Sequence, residues 1–138
     1  MKWPICLATL VGAATPSAGA QTTLEQAADW ARSAWLAQDA AAMAALGDTL
    51  LLRLPGGSEG SVVASGQAAR LLGLYLKPAA ERGFDLRSVR ATADARGYAE
   101  AVRRYVVRGT SDELAETVLL GFRQAGVRWR LTEIRVMP

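Results

Sequence analysis

The fold of this chain is decided by the stretch YAEAVRRYVVRG (98–109), ETVLLGFRQAG (116–126) and VRWRLTEIRV (127–136). Apolar and polar residues alternate along each run, which is the period of a β-strand with one buried face. Turn residues separate the runs, so consecutive strands are joined by short connections. The stretch therefore predicts a long antiparallel meander against which the upstream elements pack.

Residue parity assigns the inner and outer faces of these strands. In 98–109, the parity with the fewest charges is expected to face the core, and it holds Ala99, Ala101, Arg103, Tyr105 and Val107. By the same argument the inward residues of the two later runs are Val118, Leu120, Phe122, Val127, Trp129, Leu131, Ile134 and Val136. Within 98–109, these assignments make Arg103 the one charged side chain that points into the concave side.

Changes of parity within a strand predict β-bulges, which bend a sheet. One change falls near Arg87 or Ser88 in FDLRSVRATADA (84–95), and another falls near Glu133. The register at the predicted Ala125-Gly126 turn stays open, because a two-residue turn places Phe122 opposite Trp129 and a bulged three-residue turn places Gly121 there. Shared burial favours Phe122 and Trp129 on the same side of the sheet.

Helices are predicted upstream of the meander. Thr22 or Thr23 starts an amphipathic helix with a capping box, and Asp39 caps a short helix over 40–46. A third helix runs from Ser65 or Gly66 to Leu76, with Leu71, Leu72, Tyr75 and Leu76 on its buried face and a further turn over 79–82. Short strands are predicted at 49–55 and 62–64.

The first twenty residues, MKWPICLATLVGAATPSAGA, have the pattern of a signal peptide. A single Lys2 precedes an apolar run that is shorter than the ~20 residues needed to cross a bilayer. Small residues at positions 18 and 20 predict cleavage between Ala20 and Gln21. We expect residues 1–20 to be removed, residues 21–138 to form a single exported domain in the periplasm or outside the cell, and no disulfide, since Cys6 is the only cysteine.

The formal charge of +3 excludes some partners. Removal of Lys2 with the predicted leader lowers the net charge further. So small a positive charge does not predict nucleic-acid binding. After cleavage no membrane contact is expected either. The remaining partner classes are an unidentified small molecule or a protein.

Catalytic chemistry is restricted by the absence of histidine from the whole sequence. Ser-His-Asp and Cys-His mechanisms and the commonest zinc ligands are excluded. The acidic residues that could act as a lone base lie at predicted turns or strand ends: Asp48, Asp85, Asp94, Asp112 and Glu113. No catalytic, metal-binding or cofactor-binding residue and no cofactor is predicted.

The order of elements resembles the nuclear transport factor 2-like superfamily, particularly its small exported bacterial members of unknown function. The resemblance rests on LLLRLP (50–55), GQAARLLGLYL (66–76), Phe84, YAEAVRRYVVRG (98–109), TVLLGFR (117–123) and WRLTEIRV (129–136). It implies an α+β fold in which the N-terminal helices pack in the concave face of a strongly curved, mainly antiparallel sheet, a cone or cystatin-like roll. Enzymes of this superfamily often use an Asp or an Asp-His pair deep in the cone, and the histidine of that pair is missing here.

A pocket lining is predicted from one cation and five aromatic residues: Trp30, Trp35, Tyr75, Arg103, Tyr105 and Trp129. A buried guanidinium requires a carboxylate partner or an anionic ligand, unless its head group reaches water. The aromatic residues serve equally well as core packing, in which case Trp129→Ala would cost about 3–5 kcal/mol.

The leading hypothesis is an exported, non-catalytic domain that binds a small apolar or weakly anionic ligand, or a protein, through its pocket or sheet face. One alternative is a pocket enzyme, an isomerase or dehydratase with a single buried carboxylate and a tyrosine. A second alternative is an interaction module with a filled core. The apolar residues Val102, Val106 and Leu119 on the outer face leave both a homodimer and a monomer open.

Overall fold

The computed structural model describes residues 22–56 and 60–138, so the predicted leader and the Ala20–Gln21 cleavage point lie outside the described residues. In chain order the elements are α1 (Leu24–Leu36), α2 (Ala40–Ala44), β1 (Thr49–Arg53), β2 (Ser61–Ala64), α3 (Ser65–Leu76), β3 (Ala79–Ala91), β4 (Arg96–Val107), β5 (Glu113–Ala125) and β6 (Arg128–Met137). The helices pack against one curved sheet, and the predicted α+β class is confirmed.

The six strands lie in the order β2-β1-β6-β5-β4-β3. All neighbouring pairs are antiparallel except β1 and β6, which are parallel. Three register shifts interrupt the ladders, and they leave Arg82, Arg87 and Thr132 without a directly opposed partner. The two predicted bulges are therefore confirmed, and the shift at Arg82 is an additional one.

Helix α1 is fixed to the sheet by small residues and by one long-range hydrogen bond. Its N-terminus has the predicted capping box, in which Thr23 and Gln26 bond each other's backbone N–H. Buried alanines, with Trp35, form the face that packs on the sheet, and small side chains allow close approach. Arg32 Nε donates to the Phe84 carbonyl at 3.0 Å, which ties α1 to β3.

Helix α3 buries a narrower face than the sequence predicts. Its buried residues are Ala68, Leu72 and Leu76, which are spaced four apart along one stripe. Leu71 lies outside that stripe and is exposed, so its predicted burial is wrong. Tyr75 lies at the edge of the stripe and is half-buried.

The predicted extra turn over 79–82 is wrong, because β3 already begins at Ala79. Ala79 and Ala80 pair with Val107 and Val106 of β4, so these backbone groups join the ladder instead of a helical turn. Glu81 follows on the same strand, just before the first bulge. The early start of β3 carries the Glu81 side chain into the interior.

The hairpin between β5 and β6 turns one residue later than predicted. Gly126 has φ of 62° and forms the loop with Val127, and Ala125 pairs with Arg128. Val127 is exposed in this loop, so its predicted place among the inward strand residues is wrong. Trp129 is therefore opposite Gln124, and neither of the two registers considered for Phe122 and Gly121 occurs. Phe122 and Trp129 still lie on the same face, since Phe122 and Gln124 share a parity.

The inward parity of β4 holds as far as Tyr105 and fails at Val107. Val107 is exposed, whereas Val106, which was assigned to the outer face, is buried. Val107 pairs with Ala79, the first residue of β3, so it lies at the end of the ladder.

Within the described part of the chain, no helix combines the length and hydropathy of a membrane span.

Candidate functional site

The six residues predicted to line a pocket form two separate groups. Trp35, Tyr75, Arg103 and Tyr105 meet in the interior of the cone, whereas Trp30 and Trp129 flank a cleft at the surface. The interior group is called the Arg103 cluster below, together with Glu81 and Glu116. The surface group is called the tryptophan cleft.

Strand register brings the charged members of the Arg103 cluster together. Arg103 on β4 is directly opposite Glu116 on β5. On its other side β4 pairs with β3, where the bulge at Arg82 lets Glu81 and Phe84 face the same way, opposite Tyr105 and Arg103. The side chains of Arg103 and Glu81 are each 1% exposed, and that of Glu116 is 8% exposed.

The guanidinium of Arg103 is bonded on two sides. Its Nε donates to both carboxylate oxygens of Glu81 at 2.8 and 3.0 Å, and Nη2 lies 2.6 Å from Glu81 Oε1. Its Nη1 donates to Glu116 Oε1 at 2.7 Å and to the Tyr75 hydroxyl at 2.8 Å. The Tyr75 hydroxyl in turn donates to Glu116 Oε1 at 2.6 Å, which closes a ring of three polar groups.

Aromatic faces enclose the same guanidinium. The Arg103 Cζ atom lies 3.8 Å from the centre of the Tyr105 ring, 5.1 Å from that of Tyr75 and 5.5 Å from that of Trp35. A cation within about 6 Å of an aromatic face is attracted by the ring's quadrupole. The cation is therefore held both by carboxylates and by three aromatic rings within cation–π range.

The two tyrosines and the arginine of the cluster keep their ordinary protonation states near neutral pH. Burial, followed by the hydrogen bond to Glu116, raises the pKa of Tyr75 far above its ordinary value, so Tyr75 stays a neutral donor. Burial alone would lower the pKa of Arg103, but the bond to Glu81 and the neighbouring charges outweigh it and raise that pKa. Burial likewise raises the pKa of Tyr105.

These contacts decide among the three surroundings that the sequence allows for the Arg103 guanidinium, which are a carboxylate partner, an anionic ligand and water. Its head group does not reach water, and it meets two carboxylates in place of an anionic ligand. An anion that bound here would have to displace Glu81 or Glu116 and leave that carboxylate buried without its partner, which is costly. The interior therefore does not offer Arg103 as a free anion-binding group.

Neither Glu81 nor Glu116 is among the residues that the sequence predicts for the site. Glu116 has the parity of Val118 and Leu120, so its inward direction could have been read from the strand pattern. Glu81 had no such signal, because its direction depends on where β3 begins and on the bulge at Arg82. The predicted carboxylates at turns take no part in the cluster.

The tryptophan cleft lies outside the interior, between α1 and the start of β6. Trp30 is 52% exposed, and Trp129 is half-buried against the core. The cleft has a volume of about 340 Å³, within the range of small-molecule sites. Its lining residues are Thr22, Trp30, Ala45, Leu46, Gly47, Arg128, Trp129 and Arg130.

Close backbone contacts fix the walls of this cleft. Thr22 N–H donates to the Val127 carbonyl at 2.9 Å, and Leu131 N–H donates to the Leu46 carbonyl at 2.8 Å. Gly47 lies so close to β6 that a Cβ atom would overlap the Leu131 carbonyl oxygen. The cleft is thus formed by main-chain bonds between β6 and the segments that flank α1 and α2.

The charged residues at the cleft differ in their surroundings. Arg130 is bonded to Asp48, whereas Arg128 is exposed and forms no ion pair with any residue that the structure describes. Among these residues no group of three or more acidic or cysteine side chains is arranged to hold a metal ion. The cleft therefore combines two indole surfaces with one unpaired cation.

No protein-family model matches the chain, and no curated protein matches it in sequence. Solved structures do match it in fold. A ketosteroid isomerase-like protein from Erwinia carotovora atroseptica aligns with a TM-score of 0.66 and 17% identity, over 82% of this chain and 91% of that one.

Two other structures show the same likeness. A protein of ketosteroid isomerase-like fold from Catenulispora acidiphila, solved in complex with trimethylamine, aligns with a TM-score of 0.64 and 15% identity, over 84% of this chain and 87% of that one. A DUF4783 family protein from Bacteroides ovatus aligns with a TM-score of 0.61 and 12% identity, over 78% and 90%. The predicted resemblance is therefore confirmed at the level of fold: the chain has the nuclear transport factor 2-like, or ketosteroid isomerase-like, fold.

Proposed function

We propose that this protein is an exported, non-catalytic binding domain that takes a small ligand in the tryptophan cleft. The ligand has a flat or apolar body, which packs between Trp30 and Trp129, and a weakly acidic group, which meets Arg128. The observation that carries the proposal is the 52% exposure of Trp30 beside a cleft of about 340 Å³. A large indole surface left in water at the mouth of a cleft is typical of a binding anchor.

The Arg103 cluster supports this choice of site. The inward cation is already bonded by Glu81, Glu116 and Tyr75. A ligand in the interior would have to break several charge-assisted hydrogen bonds. Binding at the surface cleft leaves that cluster intact.

A pocket enzyme is the second candidate, and the 2.6 Å hydrogen bond between Tyr75 and Glu116 is the observation that favours it. The two groups have the chemistry of a donor and a base. However, Glu116 Oε1 already accepts bonds from Tyr75 and Arg103, and the side chain is 8% exposed. A substrate proton reaches it only if the cluster opens, so binding without catalysis is the better explanation.

The probe 1-anilinonaphthalene-8-sulfonate, which has a flat apolar body and one acidic group, tests the cleft by fluorescence titration. We expect Trp30→Ala to weaken its binding about tenfold, as loss of an aromatic anchor does. Leu74→Ala removes an exposed apolar side chain of α3 outside the cleft and is the matched control. Equal affinities of Trp30→Ala and the native protein would refute the proposal.

Native mass spectrometry of protein purified from its own host tests the same proposal with the natural ligand. We expect a retained small molecule that is lost in Trp30→Ala and kept in Tyr75→Phe. A molecule lost in Tyr75→Phe and kept in Trp30→Ala would instead support the pocket enzyme. The mature N-terminus in the same spectra tests the proposed export, which predicts a mass beginning at Gln21.

A further inference from the structure

Three arginines lie side by side in one row across the outer face of the sheet. Arg96 on β4 pairs with Arg123 on β5, and Arg123 pairs with Arg130 on β6. Directly opposed residues of antiparallel strands have Cα atoms only about 4.5–5.5 Å apart. The three side chains share the face opposite to that of Phe122 and Leu131, so their charges lie close together in solvent.

The nearby carboxylates do not balance this row. Arg96 lies 3.9 Å from Asp94, and Arg130 is bonded to Asp48. Arg123, at the centre, forms no ion pair within the described ranges. Its charge acts at a distance, because a hydrogen bond from Thr92 and then the charges of Arg96 and Arg123 lower the pKa of Asp94. The exposed Arg128 adds another cation on the same face.

One further carboxylate borders the row without neutralising it. Glu133 lines the depression beside Arg123, but its Oε1 accepts a bond of 2.7 Å from Arg135. Four arginines, at positions 96, 123, 128 and 130, therefore share the two carboxylates of Asp48 and Asp94. The patch keeps a net positive charge.

Like charges that are directly opposite on neighbouring strands destabilise a sheet. Packing does not explain the row, because all three side chains are exposed. Residues that lower stability without a packing role are typical of functional surfaces. A bound anion would convert the repulsion among the three guanidinium groups into attraction.

The surface beside Arg123 has room for such an anion. Two shallow depressions of about 220 Å³ each border it, one with Arg96 and Tyr98 and the other with Arg130. Thr132, the bulged residue of β6, lines both depressions. The bulged residue thus shares both depressions with the central arginine.

We propose that the Arg96–Arg123–Arg130 row is a binding site for a tetrahedral oxyanion, phosphate or sulfate. The guanidinium of Arg123 holds the anion, Arg96 and Arg130 flank it, and Thr132 and Tyr98 offer hydroxyl donors. Arginine suits this role because its planar set of N–H groups matches the oxygens of phosphate and sulfate. The site shares Arg130 with the lining of the tryptophan cleft, but its central residue, Arg123, does not line that cleft.

Titration of the full mature protein with inorganic phosphate, followed by backbone amide shifts at constant ionic strength in chloride, tests this site. We expect saturable shifts in segments 121–123 and 130–133. Arg123→Gln should weaken phosphate binding about fivefold, which is the loss of one exposed charge pair. Arg70→Gln, on the exposed face of α3, should bind like the native protein. Equal affinities of Arg123→Gln and the native protein would overturn the proposal.

Thermal unfolding gives a second and independent test. In chloride alone, Arg123→Gln should melt at or above the temperature of the native protein, because it removes repulsion. Phosphate at the same ionic strength should raise the melting temperature of the native protein and leave that of Arg123→Gln unchanged. If Arg123→Gln melts lower in chloride, or if phosphate stabilises both proteins equally, the row is a structural feature and the proposal is wrong.

Discussion

Arg103 and Glu116 are directly opposite each other on β4 and β5, and their side chains meet at 2.7 Å inside the protein. Glu81 holds the other side of the guanidinium from β3, and Tyr75 reaches it from α3. One buried cation thus links three strands and a helix. These contacts hold α3 to the three strands, and the cluster is called the clamp below.

Replacement of Arg103 by methionine should strongly destabilise the fold. It leaves Glu81 and Glu116 buried without their common partner, and loss of one member of a buried charge pair typically costs about 3–5 kcal/mol. Chemical denaturation measures the change in the free energy of unfolding. Arg70→Met, at an exposed position of α3, is the matched control and should change it by less than about 0.5 kcal/mol.

The same variant tests whether the clamp is cooperative. Arg103→Met leaves the carboxylates of Glu81 and Glu116 without their partner, and the additional change Glu81→Gln removes one of these two charges. The double variant Arg103→Met/Glu81→Gln should therefore lose less stability than the sum of the losses in the two single variants. The difference should exceed about 1 kcal/mol, because the two residues are in direct contact. Additive losses would show that the two side chains do not interact in solution.

The alkaline limit of stability should depend on Tyr75. Its pKa is raised in the folded protein, by burial first and by Glu116 second, whereas an unfolded chain ionises near 10.0. The folded state therefore keeps a proton that the unfolded state loses, and stability falls as the pH rises above 10. For one proton, the free energy of unfolding falls by at most about 1.4 kcal/mol per pH unit.

Tyr75→Phe removes this ionisable group, so the alkaline loss of stability should become less steep. Urea denaturation from pH 8 to pH 11 measures it. Tyr98→Phe, on the outer face, should keep the steep dependence of the native protein. A Tyr75→Phe protein with an unchanged alkaline slope would show that Tyr75 ionises alike in both states.

The strand pattern was sufficient to predict the sheet because alternation is a local property. The inward face of β4 from Ala99 to Arg103 follows directly from it, as does the bulge near Arg87. The same pattern did not reveal the register at Trp129, because Ala125, Gly126 and Val127 are all compatible with a turn. Turn position there is set by φ at Gly126 and by pairing with β5.

The site was less predictable, because it depends on contacts between distant residues. Parity placed Arg103 inside but did not identify its partners, and Glu81 is brought there only by an unpredicted bulge. By contrast, helical periodicity does distinguish the two tryptophans of α1, since Trp35 lies on its apolar face and Trp30 lies beside that face. The burial of Trp35 and the exposure of Trp30 follow from where α1 meets the sheet.

The three tryptophans in the described part of the chain should differ in their contributions to stability. Trp35 is fully buried, so Trp35→Ala should cost about 3–5 kcal/mol. Trp129 is half-buried, so its truncation should cost about 1–3 kcal/mol, less than the core value predicted from the sequence. Trp30→Ala should cost under about 1 kcal/mol, since the indole is largely exposed. Chemical denaturation of the three variants gives this order, and a large loss in Trp30→Ala would show that the indole is packed in solution.

Gly47 should tolerate no side chain, because its backbone touches β6 at the tryptophan cleft. A Cβ atom there would overlap the Leu131 carbonyl oxygen, which is main chain and cannot rotate away. Gly47→Ala should therefore push β6 outward and cost more than about 2 kcal/mol.

Gly66→Ala is the matched control, since nothing lies within 4 Å of its added Cβ and it is helical. That change should be neutral or stabilising by up to about 1 kcal/mol. Equal melting temperatures of the two variants would show that the cleft wall yields, in which case Leu46 and Leu131 are not held as closely as their 2.8 Å hydrogen bond indicates.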